Sequence, residues 1–328
     1  MTLLSPILRL VILTLFAFAL IKLSTYGFRP SGIWPISLTA DEIKTAQNLK
    51  DIVEFLAGRI GHRSFSSYEN LNRSAEFIIN AFEELGYQVE IVSYSVNNQL
   101  FKNIVAEDPR TDKGQGVIII GAHYDTCYNP GADDNASGVA GLLELAQLLK
   151  GQDLDKRIRF IAFVNEEPPF FMTENMGSYV YARHIKQKNE QIELAIILES
   201  IGYYTNKKFS QRYLPLMGIF YPNRGNFVGV VGNFKSHRFT SFLTKEFKAL
   251  SNIPVESVTC PSFVPGVNFS DHWSFWKENY TAVMVTDTAF LRNPNYHQPS
   301  DLPSTLNYEK ISLVVHGLKR AIMNLANK

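Results

Sequence analysis

Four short apolar runs constrain this chain most: residues 116–121 (Gly-Val-Ile-Ile-Ile-Gly), 157–164, 195–198 and 282–286. Each has the length of a strand and, apart from Arg157 and Arg159, is almost wholly apolar, which predicts strands buried on both faces. Helical patterns separate them, over residues 45–58, 72–85, 137–150, 176–186, 236–250 and 308–324. In the second of these, Ala75, Ile78, Ile79 and Phe82 share a face and Gly86 is the stop. Ser137 is the expected N-cap of the third. Residues 88–96, 227–231, 255–258 and a segment around 272–276 complete the pattern. Strands alternating with helices predict an α/β fold, a three-layer α/β/α sandwich around a mostly parallel mixed sheet.

Bulk properties exclude several functions. The 328 residues carry a formal net charge of +1, so nothing electrostatic favours a nucleic-acid partner. The two cysteines, Cys127 and Cys260, form neither CxxC nor CxxCH, which leaves thiol-zinc, dithiol-redox and haem motifs without support. At the N-terminus, Arg9 precedes an uncharged apolar run over 10–21 and Lys22 follows. That run is short for a full span and fits the core of a signal peptide. Yet residues 3–8 are also apolar, and no A-x-A cleavage site follows. Residues 1–27 are therefore expected to be an uncleaved membrane anchor or a cleaved signal, either one placing the rest outside the cytoplasm. A linker over 28–40, with Pro30, Gly32 and Pro35, would lead to one catalytic domain over 41–328.

Acidic and imidazole side chains close the apolar runs. His123 and Asp125 follow the run at 116–121, two apart in extended chain and so on one side of it. A carboxylate beside an imidazole accepts its second N–H and fixes the tautomer. Next comes Gly131-Ala-Asp-Asp-Asn-Ala-Ser-Gly138, then Glu166-Glu167 at the end of the run at 157–164. Glu199 ends the run at 195–198, and His297 lies in Tyr296-His-Gln-Pro-Ser-Asp301. Singly, each has a plain alternative. A lone histidine after a strand is usually structural, paired aspartates can cap a helix, and paired glutamates can face solvent. Together they place two histidines and several carboxylates at successive strand ends, where open α/β sheets carry their sites. This nitrogen and oxygen donor set suits zinc.

In motif order and spacing over about residues 45–325, the chain resembles the co-catalytic zinc exopeptidases that include bacterial leucyl aminopeptidase, aminopeptidase Y and glutamate carboxypeptidase. The resemblance rests on His-x-Asp, Gly-Ala-Asp-Asp-Asn-Ala-Ser-Gly, the Glu-Glu pair and the late histidine. It implies two zinc ions bridged by Asp134, one completed by His123 and Glu199, the other by Glu167 and His297. It implies Glu166 as general base, Asp125 as the partner that orients His123, a cis peptide at 134–135 and a peptide substrate. Three carboxylates and one hydroxide would then balance the four charges of two Zn²⁺. The chain departs from the pattern at Glu199, where some members have Asp, and in the loop from Cys260 to His272. That loop offers no tyrosine as oxyanion donor. Asn268 is the substitute candidate, and Asp271 and His272 match a Ser-Asp-His motif expected to serve packing or the substrate side. His62, His184, His237 and His316 lack motif context, and 168–171 (Pro-Pro-Phe-Phe) fits a substrate pocket or a packed loop equally. An aminopeptidase is the leading reading. A carboxypeptidase, a glutaminyl cyclase-like enzyme and a non-enzymatic receptor-like relative are the alternatives.

Overall fold

The computed structural model describes residues 37–109, 116–213 and 217–328, with 5, 8, 11–16 and 19 near the N-terminus. Most of the expected anchor over 1–27 and most of the linker over 28–40 lie outside the described residues. Among the described residues no helix is long and apolar enough to cross a membrane.

Helix α1 (Ala40–Val53) starts five residues earlier than its apolar spacing suggests, because Thr39 and Glu42 form a reciprocal capping box. It runs on as a wider, π-helical turn, Glu54–Ile60. Helix α2 (Tyr68–Glu84) leads to strand β1 (Gln88–Val96) and then to β2 (Gln99–Glu107). The chain continues through β3 (Val117–His123), α3 (Gly138–Leu149), β4 (Arg157–Phe163), α4 (Gly177–Gln187) and β5 (Ile192–Glu199). It closes with β6 (Val228–Gly232), α5 (His237–Leu250), β7 (Val255–Thr259), α6 (His272–Lys277), β8 (Ala282–Thr286) and α7 (Tyr308–Ala326).

The strands form one sheet in the order β1-β2-β4-β3-β5-β8-β6-β7. Four pairings are parallel (β3 with β4 and β5, β5 with β8, β6 with β7) and three are antiparallel (β1 with β2, β2 with β4, β6 with β8). The mixed α/β fold class is as expected. Strand β2 is an addition: residues 97–98, both with positive φ, turn the chain from β1 back along itself. Asn97-Asn98 was the turn signal, but the run after it mixes polar and apolar residues and lacks the continuous apolar character of its neighbours.

Alternate residues of each central strand enter opposite layers. Ile118 and Ile120 of β3, with Leu194, Ile196 and Leu198 of β5, join the core built with α1, α2, α3 and α7. Val117, Ile119, Ala195 and Ile197 join Tyr181, Ala182 and Ile185 of α4 and Phe275 of α6 on the other face. Covering both faces is what makes the strands continuously apolar, and it leaves only their ends to polar chemistry.

Candidate metal centre

His123 is the last residue of β3, two further along than the apolar run alone suggested. Glu199 is the last residue of β5, and Glu166 and Glu167 follow β4 by three and four residues. Parallel pairing of β4, β3 and β5 brings these three ends together. Two loops complete the group, 131–137 before α3 and 287–301 before α7.

Asp134 sits at the centre. Its Oδ1 lies 3.2 Å from His123 Nε2 and its Oδ2 lies 3.0 Å from His297 Nε2. Glu199 Oε2 is 3.2 Å from the same nitrogen of His123, and Glu167 Oε1 is 3.3 Å from that of His297. The five ligand candidates thus fall into two groups sharing one carboxylate. Glu166 Oε2 lies beside the first, 4.0 Å from His123 Nε2. The peptide bond 134–135 is cis, as the resemblance implied.

Electrostatics follow from burial. His123 is fully buried, which alone would lower its pKa, but Glu199 and Glu166 carry it well above the usual imidazole value. The same balance lifts His297 to about 10, with Asp134 and Glu167 as its acids. Burial and the charge on Asp134 raise Glu167 to about 8. Burial also pushes Glu166 well up, reinforced by Glu167, Glu199 and Asp271. Asp134 alone moves down, because two imidazoles outweigh its burial. His123 Nε2, His297 Nε2 and Glu167 Oε1 are buried without a hydrogen-bond partner. Buried polar atoms are normally paired, and imidazole nitrogens aimed at carboxylate oxygens make a donor set that fits divalent cations.

Two carboxylates brace the centre. Asp125 accepts from the backbone N–H of Glu166 and of Glu167, both at 3.1 Å, and stands 3.5 Å from His123 Nδ1. Asp301 does the same for Asp133 and Asp134, at 2.9 and 3.2 Å. Asn135 ties the loop to the end of β5: its Nδ2 donates to Leu198 O, and its Oδ1 accepts from Ser200 N and Gly138 N. That last bond caps α3. Ser137 does not, contrary to its expected role, because it is already helical and its hydroxyl donates to Asp133 O and accepts from Ile201 N. Glu199 accepts from the hydroxyls of Ser200 and Ser270.

Arg63 is the strongest feature that motif reading passes over. It is fully buried, and its guanidinium donates to the carbonyls of Leu56, Gly61, Tyr124, Pro130 and Gly131. Its backbone exchanges two further bonds with Thr126. Arg63 therefore fixes the loop that runs from the end of β3 to Gly131, and burial lowers its pKa to about 10 against the pull of Asp301, Asp125 and Asp134. A lone arginine after Gly61-His62 offers no sequence signal for this. Cys127 was also passed over: its sulfur groups with Glu167 and His297, the three ligand atoms lying within 4.8 Å of one another. Burial and the charge of Glu167 push its thiol up to about 12. Both cysteines are free.

The remaining candidates lie further out. Asp271 is fully buried behind Ser270, its carboxyl raised to about 7 by burial. His272 packs edge-on against Trp276, donates from Nε2 to Val267 O at 2.7 Å, and is lowered to about 4 by burial. Neither belongs to a ligand group. Asn268 is half-buried with its Oδ1 unpartnered, and it makes no hydrogen bond to the acids of the centre among the described residues. The segment 168–171 divides: Phe170 packs in the core on Phe65 and Phe101, while Phe171 meets Phe269 at the rim of an apolar cavity. His316 is buried at Thr45, far from this chemistry.

Comparison with known proteins decides the family. Residues 103–320, two thirds of the chain, match the family model described as Peptidase family M28.

This chain belongs to peptidase family M28. Its activity class is therefore hydrolysis of peptide bonds, and its substrate class is peptides. Among M28-like relatives, the uncharacterised protein YfbL of Escherichia coli K12 is 40% identical over 288 residues, covering 85% of this chain and 88% of that protein. BSAP, a zinc aminopeptidase from Bacillus subtilis, superposes with a TM-score of 0.70 at 16% identity, covering 86% of this chain and 95% of BSAP. A glutaminyl cyclase from Porphyromonas gingivalis superposes with a TM-score of 0.65 at 17% identity, covering 85% and 98%. At such identities both show that the M28 chain shares their fold.

Proposed function

We propose that this M28 peptidase is an aminopeptidase working with two zinc ions and favouring bulky apolar N-terminal residues. The observation that carries the reading is Asp134 turning one oxygen toward His123 and the other toward His297. One ion would be held by His123, Asp134 and Glu199, the other by His297, Asp134 and Glu167. When bound, zinc supplies Lewis acidity toward a carbonyl and lowers the pKa of a water molecule. Glu166 is left free of ligand duty. It stands beside the centre with its backbone fixed by Asp125, placed to take a proton from the attacking water and return it to the departing amine.

Two features favour the amino end of a peptide. The centre is rich in carboxylates, which suits an α-ammonium group. Arg63, the buried cation whose charge acts on Asp134, Asp125 and Asp301, is committed to backbone carbonyls and cannot serve a C-terminal carboxylate. An apolar cavity also opens beside Glu199, walled by Val267, Phe269, Met284, Phe290 and Tyr296. Tyr296 stacks on His297 with ring centroids 3.9 Å apart, so the cavity reaches both halves of the centre. A side chain next to the scissile bond would lie there.

The test is a substrate panel with and without chelator. Leucyl and phenylalanyl p-nitroanilides should be cleaved, lose turnover with chelator and regain it with zinc. Cleavage of only carboxy-terminal substrates, or cyclisation of N-terminal glutamine in place of hydrolysis, overturns the aminopeptidase reading. We also propose that residues 1–27 anchor the chain in a membrane or export it across one, on the strength of the apolar run over 10–21. Cell fractionation with N-terminal sequencing of the mature protein tests this, and a full-length cytoplasmic protein would refute it.

A further inference from the structure

Cys127 has no role in the chemistry above, yet it stands among the ligands. It lies four residues past the end of β3, in the loop that Arg63 and Thr126 hold in place. Its sulfur lies within 4.8 Å of a donor atom of Glu167 and of His297, and Glu167 Oε1 and His297 Nε2 are 3.3 Å apart. Donor atoms bound to one zinc are about 3 to 4 Å apart, given metal–ligand bonds of about 2.0 to 2.3 Å. The three side chains are thus nearly at ligand spacing. An independent observation points the same way: Glu167 Oε1, on a carboxylate 4% exposed, and His297 Nε2 both lack a hydrogen-bond partner. The other group, around His123, has no sulfur.

We propose that Cys127 is an accessory sulfur ligand for the cation held by Glu167 and His297, which makes that half of the centre a mixed sulfur, nitrogen and oxygen site. The inference rests on the two-cation reading. Its chemistry is simple: the thiol loses its proton to solvent as the sulfur–metal bond forms, with no redox change. A soft sulfur donor selects zinc, cobalt or cadmium over magnesium and manganese. It also makes the thiol report occupancy, since a coordinated sulfur reacts poorly with electrophiles and an uncoordinated, half-buried one is open to them. Cys260, buried between β7 and the loop leading to Ser270, is a built-in control.

Cobalt(II) is the probe, added to metal-free full-length protein and to Cys127→Ala and Cys127→Ser. Wild type should take up two cobalt ions per chain and show a near-ultraviolet thiolate-to-cobalt band that both variants lack. Loss of a ligand-sphere partner should weaken uptake of the affected ion by about tenfold or more. In wild type, iodoacetamide should label Cys127 at least about tenfold more slowly with cobalt bound than without, given the dependence of alkylation on a free thiolate. Cys260 should show no such change. Two ions per chain with identical spectra in wild type and Cys127→Ala overturn the sulfur ligand alone. One ion per chain in wild type overturns the two-cation reading and this inference with it. Neither readout depends on peptide hydrolysis, and the spectra of Cys127→Ser remain decisive should Cys127→Ala fold poorly.

Discussion

The two halves of the centre share Asp134 and differ in nearly everything else. The His123 half is built on strand ends, and the His123 side chain has no exposure. The His297 half is built on loops, and the His297 side chain is 28% exposed. Glu199 is held by two serine hydroxyls, whereas Glu167 Oε1 has no partner at all. A ligand fixed by sheet pairing and hydrogen bonds is preorganised, so little order is lost when a cation arrives. A ligand on a loop must be ordered by the cation itself. The His123 half should therefore bind first and release last, with the His297 half as the exchangeable side that solvent and substrate reach.

The sharpest way to break this comparison is to move chemistry away from metal binding. Glu166→Gln should cut kcat by about a thousandfold, the scale of a lost general base, while metal analysis still finds two ions. Retained turnover would take Glu166 out of its role. Next in size is the contrast between His123→Ala and His297→Ala. The first should empty both halves, because the shared Asp134 loses its fixed neighbour. The second should leave one ion bound, and graded chelation of the wild type should likewise pass through a one-ion species. Simultaneous loss of both ions during dialysis would erase the distinction.

The braces offer a finer test. Asp125→Asn removes a charge that holds Glu166 and Glu167, and Asp301→Asn removes one that holds Asp133 and Asp134. Partners of this kind are worth about ten- to a hundredfold in metal affinity. Isothermal titration should show Asp125→Asn weakening chiefly the ion at Glu167, whereas Asp301→Asn should weaken both.

The smallest effect is on stability. Without metal, Glu167 keeps its proton up to about pH 8 and His297 up to about pH 10. In the unfolded chain these groups lose their protons near about pH 4.3 and about pH 6.5. The unfolded state then binds fewer protons than the folded one, so metal-free stability falls as pH rises through those windows. Zinc displaces the protons, so the gap in melting temperature between loaded and metal-free protein should widen from acid to neutral pH and beyond. Thermal scans over that range check the direction, and a constant gap would contradict it.

Sequence reading reached the sheet through its apolar runs because a strand buried on both faces has no polar positions. It missed β2, which lies between the antiparallel β1 and β4 and mixes exposed Leu100 with buried Phe101 and Asn103. It singled out Glu166, Glu167 and Glu199 because acids that end buried strands are costly unless they bind something, and His123, Asp134 and His297 through the motifs that carry the resemblance. It did not reach Arg63, Asp301 or Cys127. Arg63 works through the carbonyls of Leu56, Gly61, Tyr124, Pro130 and Gly131, and carbonyls are identical in every residue. Asp301 works through two backbone N–H groups, equally silent in sequence. Cys127 matters only because the chain turns back at 127–131 toward a histidine 170 positions later.

By itself, then, the sequence determined which strands are buried and which acids and histidines their ends must carry, since burial cost acts residue by residue. Only the tertiary structure decided that Asp134 faces two histidines at once, that one of these is sealed and the other partly exposed, and that a thiol stands beside the exposed one. Those facts depend on the order of strands in the sheet and on backbone hydrogen bonds between loops, which no side-chain pattern along the chain encodes.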